Sequence, residues 1–125
     1  MTAASAEGAF VDYIVDLMQS IGPVNAKRMF GGHGIFLEGL MFGLVADSVL
    51  YLKADDTSSK DFTDMDLGAF TYIKQGKATK LSYYQCPEEA LESAEEMNIW
   101  ANKAYVSAIR KASEKSPASK KRKKR

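Results

Sequence analysis

Between Met29 and Lys53 the chain runs through short apolar segments rich in Phe, Leu, Val and Tyr, broken at Glu38-Gly39 and Asp47-Ser48. The segments are too short for ordinary helices, and two-residue breaks between apolar runs favour tight turns, so this stretch predicts a three-stranded antiparallel meander over 34–37, 40–46 and 49–53. Any fold for the chain has to be built around that unit.

The flanking segments supply the other layer. Phe10, Ile14, Leu17, Met18 and Ile21 form one apolar stripe, with Asp12, Asp16 and Gln19 opposite, which predicts a helix over 7–20 ended by Gly22-Pro23. Ser58 and Asp61 have capping-box spacing, predicting a short helix over 59–64. Residues 70–74 and 79–84 flank Gln75-Gly76-Lys77 as a second hairpin. Pro87 before Glu88 and Glu89 marks a short helix ending near Leu91, since proline suits a helix start and acids favour its dipole there. Ser93 with Glu96 opens the longest helix, with Met97, Trp100, Ala101, Ala104, Ala108 and Ala112 along one face and close packing on the sheet implied by the alanines. The predicted architecture is α+β: a five-stranded, mostly antiparallel sheet with helices packed on one face.

Charge divides the chain unequally. Residues 1–113 hold 10 Lys+Arg and 15 Asp+Glu, a balance of −5, while residues 114–125 hold 7 Lys+Arg and one acid, a balance of +6. This predicts a folded domain over 1–113 and a disordered basic tail over 114–125. Lys115, Lys120, Lys121, Arg122, Lys123, Lys124 and Arg125 are the nucleic-acid-binding candidates. If the last six all met duplex phosphates, log affinity would fall against log salt with a slope of about −5. A charge run of this kind attracts DNA without reading its sequence.

With 125 residues and 46% hydrophobic composition, the chain fits one compact domain, and a multidomain enzyme is not expected. No apolar run reaches the roughly 18 residues of a membrane helix, and the N-terminus has no signal-peptide pattern, so a cytoplasmic, membrane-free protein is expected. One Cys and one His exclude an intramolecular disulfide and a four-ligand Cys/His zinc site. The acids Asp55, Asp56, Asp61, Asp64 and Asp66 lack the glycine and closing Glu of an EF-hand loop and read as a solvated acidic loop. No cofactor is expected.

Three features could carry chemistry. Gly31, Gly32 and Gly34 could bring backbone N–H groups to a phosphate, but no Lys-Ser/Thr follows and the next element reads as strand, so a bent or bulged strand start under the N-terminal helix is the ordinary reading. His33 is a candidate proton shuttle and Cys86 a candidate nucleophile, each without a visible partner in the sequence. Tyr51 and Lys53 share one side of a strand, and Lys80, Tyr83 and Tyr84 end another; aromatics interleaved with lysine resemble a single-strand stacking platform, whereas strand propensity alone also accounts for the tyrosines.

Arg28-Met29-Phe30-Gly31-Gly32-His33-Gly34, Gly39-Leu40-Met41-Phe42, Leu50-Tyr51-Leu52-Lys53-Ala54-Asp55, and Leu81-Ser82-Tyr83-Tyr84 before Pro87-Glu88-Glu89 occur in an order that resembles the N-terminal domain of the TfoX/Sxy family. The resemblance covers most of residues 8–112. It implies an α+β domain with no established enzymatic activity, from bacterial proteins that act as transcriptional coactivators or competence regulators. It also implies that the basic tail stands where a C-terminal helical domain would begin. Arg28, Tyr51, Lys53 and Tyr83 fall within these motifs and, with Gly31, Gly32 and His33, form the expected functional surface.

The resulting expectation is a non-enzymatic regulator whose body contacts the transcription machinery or a regulator protein and whose tail attracts DNA. The alternative is a small-molecule-binding domain or enzyme using the bend at 31–34 with Arg28 and His33. A self-associating module, paired as a homodimer through an open sheet edge, is a third.

Overall fold

The computed structural model describes residues 3–29 and 31–115, and within them not the side chains of residues 3–6, 72–74, 78–80 and 115. The basic run from Lys120 to Arg125 lies outside the described residues.

The meander forms where the sequence places it. β2 (Gly32–Leu37), β3 (Leu40–Ala46) and β4 (Val49–Lys53) are joined by two-residue turns at Glu38-Gly39 and Asp47-Ser48. All four turn residues have positive φ, 53°, 80°, 53° and 60° in chain order, the pattern whose twist suits a tight antiparallel hairpin. The second hairpin pairs β5 (Ala69–Lys74) with β6 (Lys77–Gln85) around Gln75-Gly76, so Lys77 belongs to the strand and not to the turn.

The sheet has six strands, not the expected five, in the order β1-β2-β3-β4-β6-β5, and every neighbouring pair is antiparallel. The additional strand, β1 (Asn25–Met29), is an edge strand paired to β2. Its Asn-Ala-Lys-Arg-Met sequence shows no apolar alternation because Asn25, Lys27 and Arg28 are exposed, as suits an edge that must discourage pairing with another chain.

The helices α1 (Ala3–Leu17), α2 (Ser59–Thr63), α3 (Glu88–Leu91) and α4 (Ala94–Lys115) gather on one face. Val11, Ile14 and Met18 bring the α1 stripe into the core. Met97, Ala101, Ala104 and Ala108 are buried along α4, and the three alanines let that helix lie close on β3 and β4. Ala112, expected on the same face, is exposed. α4 continues two residues past the expected boundary at Ser113. Its start is capped as expected: the Ser93 hydroxyl accepts the Glu96 amide at 3.2 Å. Between helices and sheet, Phe62 of α2 stacks on Tyr84 with centroids 5.5 Å apart and meets Trp100 edge-on at 5.1 Å.

Two glycines of the candidate bend have different reasons to be glycine. Gly31 has φ +75° with open space around it, whereas a Cβ on Gly32 would come 2.2 Å from the Val45 carbonyl oxygen. The neighbour is therefore the backbone of β3 and not the N-terminal helix, and the register shift in β2 lies further on, between Ile35 and Phe36. Gly31→Ala is expected to cost about 1 kcal/mol through backbone conformation alone. Gly32→Ala should cost about 2–3 kcal/mol because backbone must move. Urea denaturation of both variants checks this order.

Candidate functional site

Register assigns each strand residue to a face. Ile35, Gly43, Leu52 and Tyr84 follow one another across β2, β3, β4 and β6, and Tyr84 stacks on Phe62, so this set faces the helices. The intervening set, Lys27, Gly34, Leu44, Tyr51 and Gln85, faces the other way. Lys53 and its cross-strand partner Tyr83 share that open face, two residues from Tyr51 and Gln85.

The open face carries aromatic rings with cations on them. The Lys53 ammonium lies 5.0 Å from the Tyr83 ring centroid, and the Lys27 ammonium 5.1 Å from that of Phe36. Tyr51 meets Phe70 edge-on at 5.0 Å. A Cβ on Gly34 would meet the Met29 sulfur at 2.6 Å, Phe36 at 2.9 Å and the Met41 sulfur at 3.1 Å, so the missing side chain is what lets those three converge. Tyr83 is largely buried among its neighbours, and burial pushes its phenol up to about 12.

The expected surface is thus divided. Tyr51, Lys53 and Tyr83 come together on the open face, while Arg28 pairs with His33 across β1 and β2 on the helical side. There His33 donates through Nδ1 to Glu7 Oε2 at 3.1 Å, and the other oxygen of Glu7 accepts the Ser48 amide at 3.3 Å. His33 fastens α1 to the sheet in this arrangement, with Arg28 exposed beside it. Cys86 is buried, and burial, with Glu89 adding to it, pushes its thiol up to about 12, which leaves little thiolate near neutral pH.

A polar junction that sequence spacing misread lies at the other end of the sheet. The Ser58 side chain makes no cap bond to α2. Its hydroxyl is buried against that of Ser107 at 2.8 Å, and the Asp55 carboxylate accepts the Thr57 and Ser58 amides, each at 3.1 Å. Arg110 of α4 donates to the same carboxylate through both Nε and a terminal nitrogen. Asp55 therefore starts the α2 turn and ties it to α4. The Arg110 guanidinium holds its carboxyl well below the usual carboxylate range, overcoming desolvation.

Two cavities flank this junction. One of about 350 Å³ lies between α2 and α4, lined by Thr57, Asp61, Ile99, Lys103, Val106 and Arg110 among others. The other, about 180 Å³, is lined by Asp56, Ser82, Tyr84 and Lys111 among others. Neither touches Arg28, Gly31, Gly32 or His33. Among the described residues no group of three or more His, Cys, Asp or Glu is placed to hold a metal ion.

Residues 16–108 match the TfoX N-terminal domain, and the chain belongs to that family. It is 29% identical over 73 residues to the DNA transformation protein TfoX1 of Aliivibrio fischeri, an alignment covering 58% of this chain and 35% of that protein. It is 24% identical over 98 residues to Protein Sxy of Escherichia coli, covering 78% of this chain and 43% of that one. The chain thus spans roughly two fifths of the length of these relatives.

The Asp55 junction gives a pH signature. Because its folded pKa is depressed, Asp55 contributes stability above the unfolded carboxylate value, and that contribution is lost as pH falls from about 4 toward the folded value. Arg110→Ala should lower the stability at pH 7 and flatten the acid loss. Thermal melts of the two proteins between pH 2 and 7 test both effects.

Proposed function

We propose that the chain is a non-enzymatic regulator in DNA transformation, the process named in its Aliivibrio relative. Its body meets a protein partner of the transcription machinery, and its basic C-terminal run adds sequence-independent attraction to DNA. The observation that carries the reading is the family match over 16–108, which takes in every element from the end of α1 to most of α4.

The outer face of α4 is where the partner fits best. Ile99, Val106 and Ile109 are 53%, 43% and 45% exposed, and their spacing places them along one side of the helix. Ile99 and Val106 line the groove between α2 and α4, with Asn102, Lys103 and Arg110 around it. An apolar strip with a polar rim is the usual makeup of a protein contact.

Deleting the gene in its host should lower transformation frequency, and the intact gene should restore it. Val106→Ser with Ile109→Ser, at exposed positions where each change costs within about 0.5 kcal/mol, should fail to restore it. Full restoration by that variant would reject the α4 surface. Unchanged transformation in the deletion strain would reject the regulatory reading.

A further inference from the structure

We propose that the open face of the sheet is a binding surface for single-stranded DNA. The choice of DNA over RNA rests on the transformation reading above; the choice of a single-stranded polyanion rests on the sheet itself.

Charge supplies the first argument. The six strands contain Lys27, Arg28, Lys53, Lys74, Lys77 and Lys80 and no acidic residue. All 15 acids of residues 1–113 lie in helices, turns and loops, where only Lys60, Lys103, Arg110 and Lys111 offset them. Lys27 and Lys53 stand on the open face and Arg28 on the helical side, while the acids behind the balance of −5 belong to the helices, turns and loops, so a polyanion is attracted to the open face and repelled by the helical one.

Aromatic chemistry supplies the second. Lys53 over Tyr83 and Lys27 over Phe36 pair a cation with a ring on the open face, and the Tyr51–Phe70 pair joins the same surface. Phe36 and Tyr51 are half-buried and offer ring area to a base, while Tyr83 is buried and contributes through the Lys53 ammonium above it, which can face an adjoining phosphate. Stacking of this kind tolerates any base, because every base has a π-face.

Shape keeps this face out of a duplex major groove. Six strands at about 4.8 Å spacing make a surface about 24 Å across, whereas the major groove is about 12 Å wide and takes a helix or a two-stranded ribbon. The bases of a duplex are also already stacked on one another and offer no face to Tyr51 or Phe36. The two rings under lysines, Phe36 and Tyr83, lie on β2 and β6, three strand spacings or about 14 Å apart, so a strand of several nucleotides is needed to reach both pairs.

Fluorescence anisotropy on the intact chain tests the proposal, with labelled oligo-dT of about 20 nucleotides, oligo-U of the same length and a mixed-sequence duplex as probes. Oligo-dT should bind more tightly than the duplex. Tyr51→Leu should weaken oligo-dT binding about ten-fold and leave duplex binding unchanged. Lys27→Gln with Lys53→Gln, which removes no core side chain, should lower the salt slope on oligo-dT by about 1.4 and decides the matter if Tyr51→Leu does not fold. Changing the six residues from Lys120 to Arg125 to Gln should weaken both DNA probes and keep the preference for oligo-dT.

Equal binding of oligo-dT and duplex, a preference that vanishes with the tail, or sheet variants without effect would overturn the proposal. So would tighter binding of oligo-U, or a dimer broken by these same variants, which would make a second copy the occupant. Failure here with a transformation defect intact rejects only the sheet surface, and a single-strand preference without that defect rejects only the regulatory reading.

Discussion

The structure depends on how closely α4 can approach β3 and β4. Ala101, Ala104 and Ala108 present almost no side chain to the sheet, so the helix axis lies near the strands and Met97, Phe42, Leu50 and Leu52 close the space around it. α1 and α2 take positions beside it on the same side. With every helix on that side, the core is complete after one face of the sheet has been covered. The opposite face has to be stable against water with strand side chains alone, and it does so with rings shielded by lysine stems and with methionines closing over Gly34.

That one-sided cover also sorts the charges. Acids placed on the helices and turns stand away from the core and near helix N-termini, as with Glu88 and Glu89 in α3 and Glu95 and Glu96 in α4, where the dipole favours them. The acid that does go inward, Asp55, is bound by Arg110 and by two backbone amides. Lys27 and Lys53 of the strands take the other face. The result is a molecule with unlike surfaces, an acidic helical one with exposed isoleucine and valine on α4 and an aromatic one carrying Lys27 and Lys53.

Much of this was legible from local pattern. The breaks at Glu38-Gly39 and Asp47-Ser48 and the Ser93 cap each depend on a few consecutive residues, and each forms; the second hairpin forms too, with its turn shortened to Gln75-Gly76 because Lys77 pairs in β6. β1 was not legible because an edge strand made of Asn, Lys and Arg has no buried face to impose a period. Ser58 was misread because its partner, Ser107, is 49 residues away and the capping geometry goes instead to Asp55. For the site, the shared face of Tyr51 and Lys53 followed from their spacing of two. The separation of Arg28 and His33 from them required the register of β1 and the Glu7 contact 26 residues from His33, and neither leaves a mark in consecutive residues. Lys27, Phe36 and Phe70 were missed for the same reason.

The division of charge between the two layers is the claim from which the functional argument follows, and it is measurable residue by residue. Amide proton relaxation by soluble anionic and cationic nitroxide probes, compared at low ionic strength where screening is weak, reports the sign of the potential near each amide. The expected result is stronger relaxation by the anionic probe at Lys27, Tyr51, Lys53 and Tyr83, and by the cationic probe at Asp12, Asp16, Glu89 and Glu95. The same ratio of the two effects on both faces would contradict a basic sheet beneath an acidic helical layer.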